Sequence, residues 1–197
     1  MIIGITGQTG SGKSVVCCEL KNHGYVIIDA DKIARETVNN ADCLTALSKA
    51  FGKQILTSDG TLDRSALAKS AFCSREKTDL LNSITHPAIV KEMLKIADDT
   101  VSQGKIAVLD APQLFESGLD KNCDIIFAIC ANDDVRRQRI MMRDGIEIDS
   151  ANVRMKAGLS TQYYIDHNAV LIDNSGDSTP EQIAEKISKT IERMKTV

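Results

Sequence analysis

Five short apolar runs punctuate the chain: Met1–Thr6, Tyr25–Ile28, Lys105–Leu109, Asp124–Cys130 and Ala169–Ile172. None alternates polar with apolar residues, the pattern of strands buried on both faces. Helical stretches separate them, and this order predicts an α/β fold with a mostly parallel sheet. Between the second and third runs lies a long helical stretch, residues 30–104, far more than a simple crossover needs. In it Leu44, Leu47 and Phe51 recur at helical spacing, Ser58-Asp59-Gly60 marks a loop, and Asp63 is placed to cap the next helix. Two adjacent stripes, Ile89/Met93/Ile96 and Val90/Leu94/Ala97, predict a helix buried over a wide face. A polar helical region, residues 132–160, follows the fourth run. The last helix has Thr179 as N-cap, Pro180 at N1, Gln182 closing a capping box, and Ile183, Ile187, Ile191 and Met194 as its buried stripe.

Composition narrows the class. The 197 residues are 43% hydrophobic and 26% charged, ordinary globular usage, which excludes disorder and low complexity for the bulk of the chain. A net charge of −3 argues against non-specific nucleic-acid binding. The first six residues lack the basic start of a signal peptide, and the longest apolar stretch, residues 125–131, is too short for a membrane span. Cysteines 17, 18, 43, 73, 123 and 130 form no C-x-x-C pair and match no zinc spacing, so free thiols are expected. A cytoplasmic protein with no membrane partner is the expectation, a monomer being favoured.

Gly7-Gln8-Thr9-Gly10-Ser11-Gly12-Lys13-Ser14 fits the phosphate-binding loop G-x-x-x-x-G-K-[ST], between an apolar strand and a helix with Val16 and Leu20 on one face. Glycines let successive backbone N–H groups converge on phosphate oxygens, and the helix starting near Lys13 adds the positive end of its dipole. Lys13 is placed to reach the β and γ phosphates, and the Ser14 hydroxyl to ligate Mg²⁺. No guanine-reading N-K-x-D element is present, since Asn122-Cys123-Asp124 is not one, and ATP is favoured.

The second strand runs into Asp29-Ala30-Asp31. One of these acids is expected to cap the next helix. The other, with Asp31 the candidate, would accept the proton of an acceptor hydroxyl. Arg35, one turn on, could contact phosphate or pair with Asp31. The third strand ends at Asp110, which reads either as a Walker-B-type acid holding Mg²⁺ or as a turn-starting residue before Pro112.

Taken in order, several elements resemble the dephospho-coenzyme A kinase family. They are the N-terminal loop, Asp29-Ala30-Asp31 with Ile33-Ala34-Arg35, Leu81-Asn82 with His86-Pro87, Asp110 through Glu116, Arg139 with Arg143-Asp144, and Ile172 through Gly176. The likeness spans residues 1 to about 177. Two positions depart from the family pattern: Gln113, where a leucine is usual, and Gly158, where a glutamine is common.

The resemblance implies a P-loop NTPase, nucleotide-kinase-like fold and a single catalytic domain. Its core would be residues 1–29, 105–131 and 161–197, with an acceptor-binding insertion at 30–104 and a lid at 132–160. It implies transfer of the γ phosphate of ATP to the ribose 3′-hydroxyl of dephospho-CoA. Gln8, Thr9, Gly10, Ser11, Gly12, Lys13, Ser14 and Val15 would hold the donor with Mg²⁺, and Asn174 and Gly176 would lie beside the adenine. Asp31, Arg35, His86, Pro112, Leu114 and Phe115 would meet the acceptor, the last three as an apolar wall. Glu116 could bond ribose or cap a helix, and His86 could instead mark a helix boundary, because Pro87 disfavours helix before it. Arg136, Arg137, Arg139 and Arg143 could be a salt-bridged face, since nearby acids almost cancel them. Alternatively Arg139 and Arg143, four apart on one face, turn inward to the transferring phosphoryl group.

Overall fold

The computed structural model describes residues 1–195; the last two residues of the expected 161–197 core segment lie outside it. A five-stranded sheet has the order β2-β3-β1-β4-β5, from β1 (Ile2–Gly7), β2 (Val26–Asp29), β3 (Ala107–Asp110), β4 (Ile125–Cys130) and β5 (Val170–Asp173). The pairings of β1 with β3, β1 with β4 and β4 with β5 are parallel. Every predicted strand is present, its start shifted one or two residues toward the C-terminus. The central strands are buried on both faces, as the unbroken apolar runs require, whereas β2 and β5 at the edges are partly open.

The chain divides into two compact units. The first comprises Met1–Ile28 together with residues from Ala97 onward, and the second Asp29–Ile96. In the first, α1 (Lys13–Asn22) and α9 (Pro180–Lys195) close one core over the sheet. Val16, Leu20, Ile183, Ile187 and Ile191 pack there with Ile3, Ile5, Phe127 and Ile129. Thr179 and Gln182 form the capping box at the start of α9: the Thr179 N–H donates to Gln182 Oε1 and the Gln182 N–H to Thr179 Oγ1. Met194 departs from the expected stripe and is 39% exposed, whereas Ile191, three positions before it, is buried.

The second unit is helical, with α2 (Ala30–Thr37), α3 (Ala41–Phe51), α4 (Arg64–Ala71) and most of α5 (Arg75–Ser102). Its core joins Cys43, Leu47, Phe51, Ile55, Leu67 and Ala71. The α3 stripe therefore runs through Cys43 and leaves Leu44 half-buried. Asp63 caps α4, accepting from the N–H groups of Ser65 and Ala66. The boundary reading of His86 fails, because α5 continues unbroken through Pro87. A proline inside a helix forfeits one hydrogen bond, and 28 residues of helix absorb that loss. The region 132–160 forms α6 (Asp133–Asp144) and α7 (Ile148–Lys156), and α8 (Thr161–Asp166) leads to β5.

A phosphate-loop site in the first unit

At the C-terminal end of β1 the chain leaves the sheet and winds through Gln8–Gly12 into α1. The loop is pinned from outside. The Gln8 N–H donates to Ile129 O (3.1 Å), and the Gln8 side chain, almost fully buried, donates from Nε2 to Thr161 Oγ1 (3.3 Å). Gly10 (φ +81°) and Gly12 (φ +87°) hold left-handed backbone that other residues resist. Space forbids a side chain there too. A Cβ at Gly10 would stand 2.7 Å from the Arg136 carbonyl oxygen, and one at Gly12 2.5 Å from Asn174 Nδ2.

The Ser11 carbonyl receives two donors, Asn174 Nδ2 at 2.6 Å and Arg139 Nη1 at 3.2 Å. Arg139 also donates to the Asn174 carbonyl at 2.9 Å, so one guanidinium ties α6, the loop and the β5 exit together. The Asn174 N–H donates in turn to Cys130 O. Beyond it the chain turns at Gly176 (φ +121°). The Lys13 ammonium and the buried Asp110 carboxylate form an ion pair. Ser14 and Val15 stand exposed on the first turn of α1.

Of the two α6 arginines picked from the sequence, the structure brings only Arg139 onto the loop. Arg143 donates to Asp144, which Arg154 also contacts. That hydrogen bond raises the Arg143 guanidinium above its ordinary value and holds the Asp144 carboxyl below the usual carboxylate range. Arg136, which the sequence reading did not single out, is 4% exposed and donates from Nε to Thr9 O (3.0 Å) and from Nη1 to Asp133 Oδ1 (2.9 Å).

Downstream of β3, Pro112 is exposed and its carbonyl accepts from Thr6 Oγ1. Leu114 corrects the expectation of an acceptor-facing wall. It is fully enclosed and fills the space left open by Gly4, where a Cβ would lie 2.8 Å from its Cδ2. Phe115 joins an aromatic group that no spacing along the chain announces: its ring meets Tyr163 edge-on at 5.6 Å and His167 at 5.1 Å, and Tyr163 stacks on His167 at 3.9 Å. Beneath them Tyr164 is buried, and desolvation pushes its phenol up to about 12.

In the second unit Asp29 is the N-cap of α2, accepting from the Lys32 N–H at 3.0 Å. Asp31 is exposed on the first turn, and Arg35 forms no ion pair with it among the described residues. His86 lies half-buried in mid-helix on α5. A cavity of about 620 Å³ lies within this unit, lined by residues that include Ile33, Thr37, Cys43, Ile84, Pro87 and Lys91.

A family model described as dephospho-CoA kinase matches residues 1–180. The chain belongs to the dephospho-CoA kinase family. Similar relatives bearing that family name come from Corynebacterium glutamicum (39% identical, covering 96% of this chain and 94% of the relative) and Carboxydothermus hydrogenoformans (40%, covering 95% and 93%). Among solved structures, a Thermus thermophilus protein superposes with a TM-score of 0.81 at 26% identity, covering 98% of this chain and 97% of that one. The shikimate kinase of Acinetobacter baumannii (TM-score 0.58, 13% identity, covering 98% and 94%) shares the fold alone. The loop from Gln8 to Gly12 is held by Arg136, Arg139 and Asn174, side chains from two separate segments.

Proposed function

We propose that this chain transfers the γ-phosphoryl group of ATP to the ribose 3′-hydroxyl of dephospho-CoA, giving coenzyme A in the last step of its synthesis. The observation that carries the donor half is the loop from Gln8 to Gly12. Its carbonyls at Thr9 and Ser11 are taken by arginine and asparagine donors. Its N–H groups at Gly10 and Gly12 are given to no protein acceptor among the described residues. A loop whose carbonyls are tied back and whose amides are left over is an anion cradle. Membership of the family supports the acceptor half.

Lys13 supplies positive charge to the β and γ phosphates, exchanging Asp110 for them. Ser14 and Asp110 are the residues that would hold Mg²⁺. One hydroxyl and one carboxylate suit that ion, which takes its remaining ligands from phosphate and water. No cluster of three or more acidic, histidine or cysteine ligands exists among the described residues to form a cage for another metal. When bound, Mg²⁺ neutralises charge on the phosphate oxygens. Arg139 contributes charge next to the loop, and Arg143 would join it by leaving Asp144 as the segment 132–160 closes over the donor.

Asp31 is assigned the acceptor hydroxyl proton. The support is local: Asp29 is committed to the helix cap, which leaves Asp31 as the carboxylate available beside the end of β2. The helical segment 30–104 would bind the acceptor body. Its cavity of about 620 Å³ lies in the range of small-molecule sites, and Arg35 and His86, elsewhere in the same segment, are assigned as polar contacts of the acceptor. Pro112 and Phe115 keep the role of apolar neighbours of the acceptor. Six free thiols accord with a cytoplasmic setting, and no helix among the described residues is long and apolar enough to cross a membrane.

The test is product analysis after incubation with ATP, Mg²⁺ and dephospho-CoA, read by mass spectrometry and by position of the new phosphate. A single added phosphoryl group on the 3′-oxygen is expected. Phosphorylation of a nucleoside or sugar instead, or ATP turnover with no phosphorylated acceptor, overturns the reading.

A further inference from the structure

We infer that Arg136 is a positioning residue for the donor, a buried strut that sets the direction of one amide in the phosphate cradle. The inference rests on the donor half of the reading above and adds to it a residue that no motif marks. Arg136 meets two consecutive loop residues at once. Its Nε donates to the Thr9 carbonyl at 3.0 Å, and its own carbonyl oxygen lies so close over Gly10 that a Cβ there would stand 2.7 Å away. Thr9 O and Gly10 N–H belong to one peptide plane. In a trans peptide the carbonyl and the amide point in opposite directions, and no peptide bond in this structure is cis. Holding Thr9 O toward α6 therefore turns the Gly10 N–H away from α6, and that amide gives no bond to protein among the described residues.

Arg139 and Asn174 treat the next-but-one peptide in the same way, holding Ser11 O and so orienting the Gly12 N–H. Arg136 and Arg139 are three apart on α6, so one helix face fixes two alternate amides of the loop. Electrostatics adds to the geometry. The Arg136 side chain is 5% exposed while that of its partner Asp133 is 72% exposed. Water screens the carboxylate far more than the guanidinium, so net positive charge remains next to the loop.

The atom used is Nε, the fourth atom along the side chain. A glutamine carries its amide nitrogen at that same position, methionine matches the length without a donor, and lysine keeps the charge but sets its nitrogen one atom further out. Arg136 also borders a cavity of about 250 Å³ between α6 and α7, so water can enter the space that a shorter side chain vacates.

The experiment titrates ATP with Mg²⁺ calorimetrically into the intact chain and its Arg136→Met, Arg136→Gln and Arg136→Lys variants, with steady-state kinetics alongside. Arg136→Met is expected to weaken ATP binding about tenfold. Its KM for ATP should rise in step, with kcat at saturating ATP and KM for the acceptor within about threefold of the parent. Arg136→Gln should recover ATP binding to within about threefold. Unchanged ATP affinity in a folded Arg136→Met, or a fall in kcat with KM for ATP unmoved, overturns the inference. Should Arg136→Met not fold, the order of the other two decides. Glutamine tighter than lysine supports the strut, and lysine equal or tighter shows that Arg136 supplies only charge. ATP binding is read without an acceptor, so a wrong acceptor assignment appears in product analysis and leaves this result intact.

Discussion

Asn174 donates from Nδ2 to the carbonyl of Ser11 at 2.6 Å, joining the exit of the last strand to a loop 163 residues earlier in the chain. The same nitrogen occupies the space a side chain at Gly12 would need. Gly12→Ala should therefore suffer twice, from strain at φ +87° and from a 2.5 Å clash that displaces the asparagine. ATP binding is expected to fall by two orders of magnitude or more, read by calorimetry, while the core over α9 stays folded. Asn174→Ala leaves Ser11 O with Arg139 alone and should raise the KM for ATP about tenfold. Normal ATP affinity in Gly12→Ala would show that the loop reshapes freely, against the pinning described above.

Lys13 and Asp110 form an ion pair between the loop's helix and the end of β3. Lys13→Ala should reduce turnover at least a thousandfold. Asp110→Asn should keep ATP binding, because it frees Lys13 for phosphate, yet lower kcat about a hundredfold and raise the Mg²⁺ concentration needed for half-maximal rate. A magnesium titration of the rate separates the two variants. An unchanged magnesium requirement in Asp110→Asn removes that residue from the metal site.

Much of this was legible in the residues. Strands buried on both faces need uninterrupted apolar runs, so β1, β3 and β4 announced themselves, and the loop's glycines announced the cradle. What could not be read depends on orientation. Arg136, Arg137, Arg139 and Arg143 carry the same charge within eight positions. Which of them meets the loop depends on how α6 is rotated against it, a tertiary fact. The family resemblance put Leu114 in an acceptor wall, but the missing side chain of Gly4 draws it inward. Pro87 looked like a stop, and tertiary packing carried α5 through it. The aromatic group of Phe115, Tyr163 and His167 joins segments nearly fifty residues apart, with no periodicity to connect them.

Asp29 caps α2, and the proton-accepting role proposed for Asp31 is separable from it by experiment. Asp29→Ala removes the side chain that receives the Lys32 N–H, and loss of such a cap costs about 1 kcal/mol of stability. Activity per folded molecule should remain near normal. Asp31→Asn should leave stability unchanged and reduce kcat by about 10²–10⁴, with KM for the acceptor little altered. Thermal melts and steady-state rates on both variants check this. Near-normal kcat in Asp31→Asn takes the proton-accepting role away from Asp31.

Alkaline conditions probe the first unit from within. Cys123 lies under β1, its sulfur 2.9 Å from where a Cβ at Gly4 would stand. Burial, followed by the charges of Asp120 and Asp124, raises its thiol from 9.0 to about 12. In the unfolded chain the thiol ionises near its ordinary value, so above about pH 9 the folded state binds more protons than the unfolded one. Stability must then fall as pH rises. It is intact below about 9 and declines progressively toward 12. Tyr164, raised from 10.0 to about 12 by burial, adds a second loss that begins about one pH unit later. Cys123→Ser keeps the size and does not titrate in this range. Burial also raises the thiols of Cys43 and Cys130, so the urea midpoint of the variant should still fall above pH 9, but less steeply than that of the parent chain. Parallel decline of the two from pH 9 would mean that the thiol ionises freely in the fold and that Cys123 is not shielded by the sheet above it.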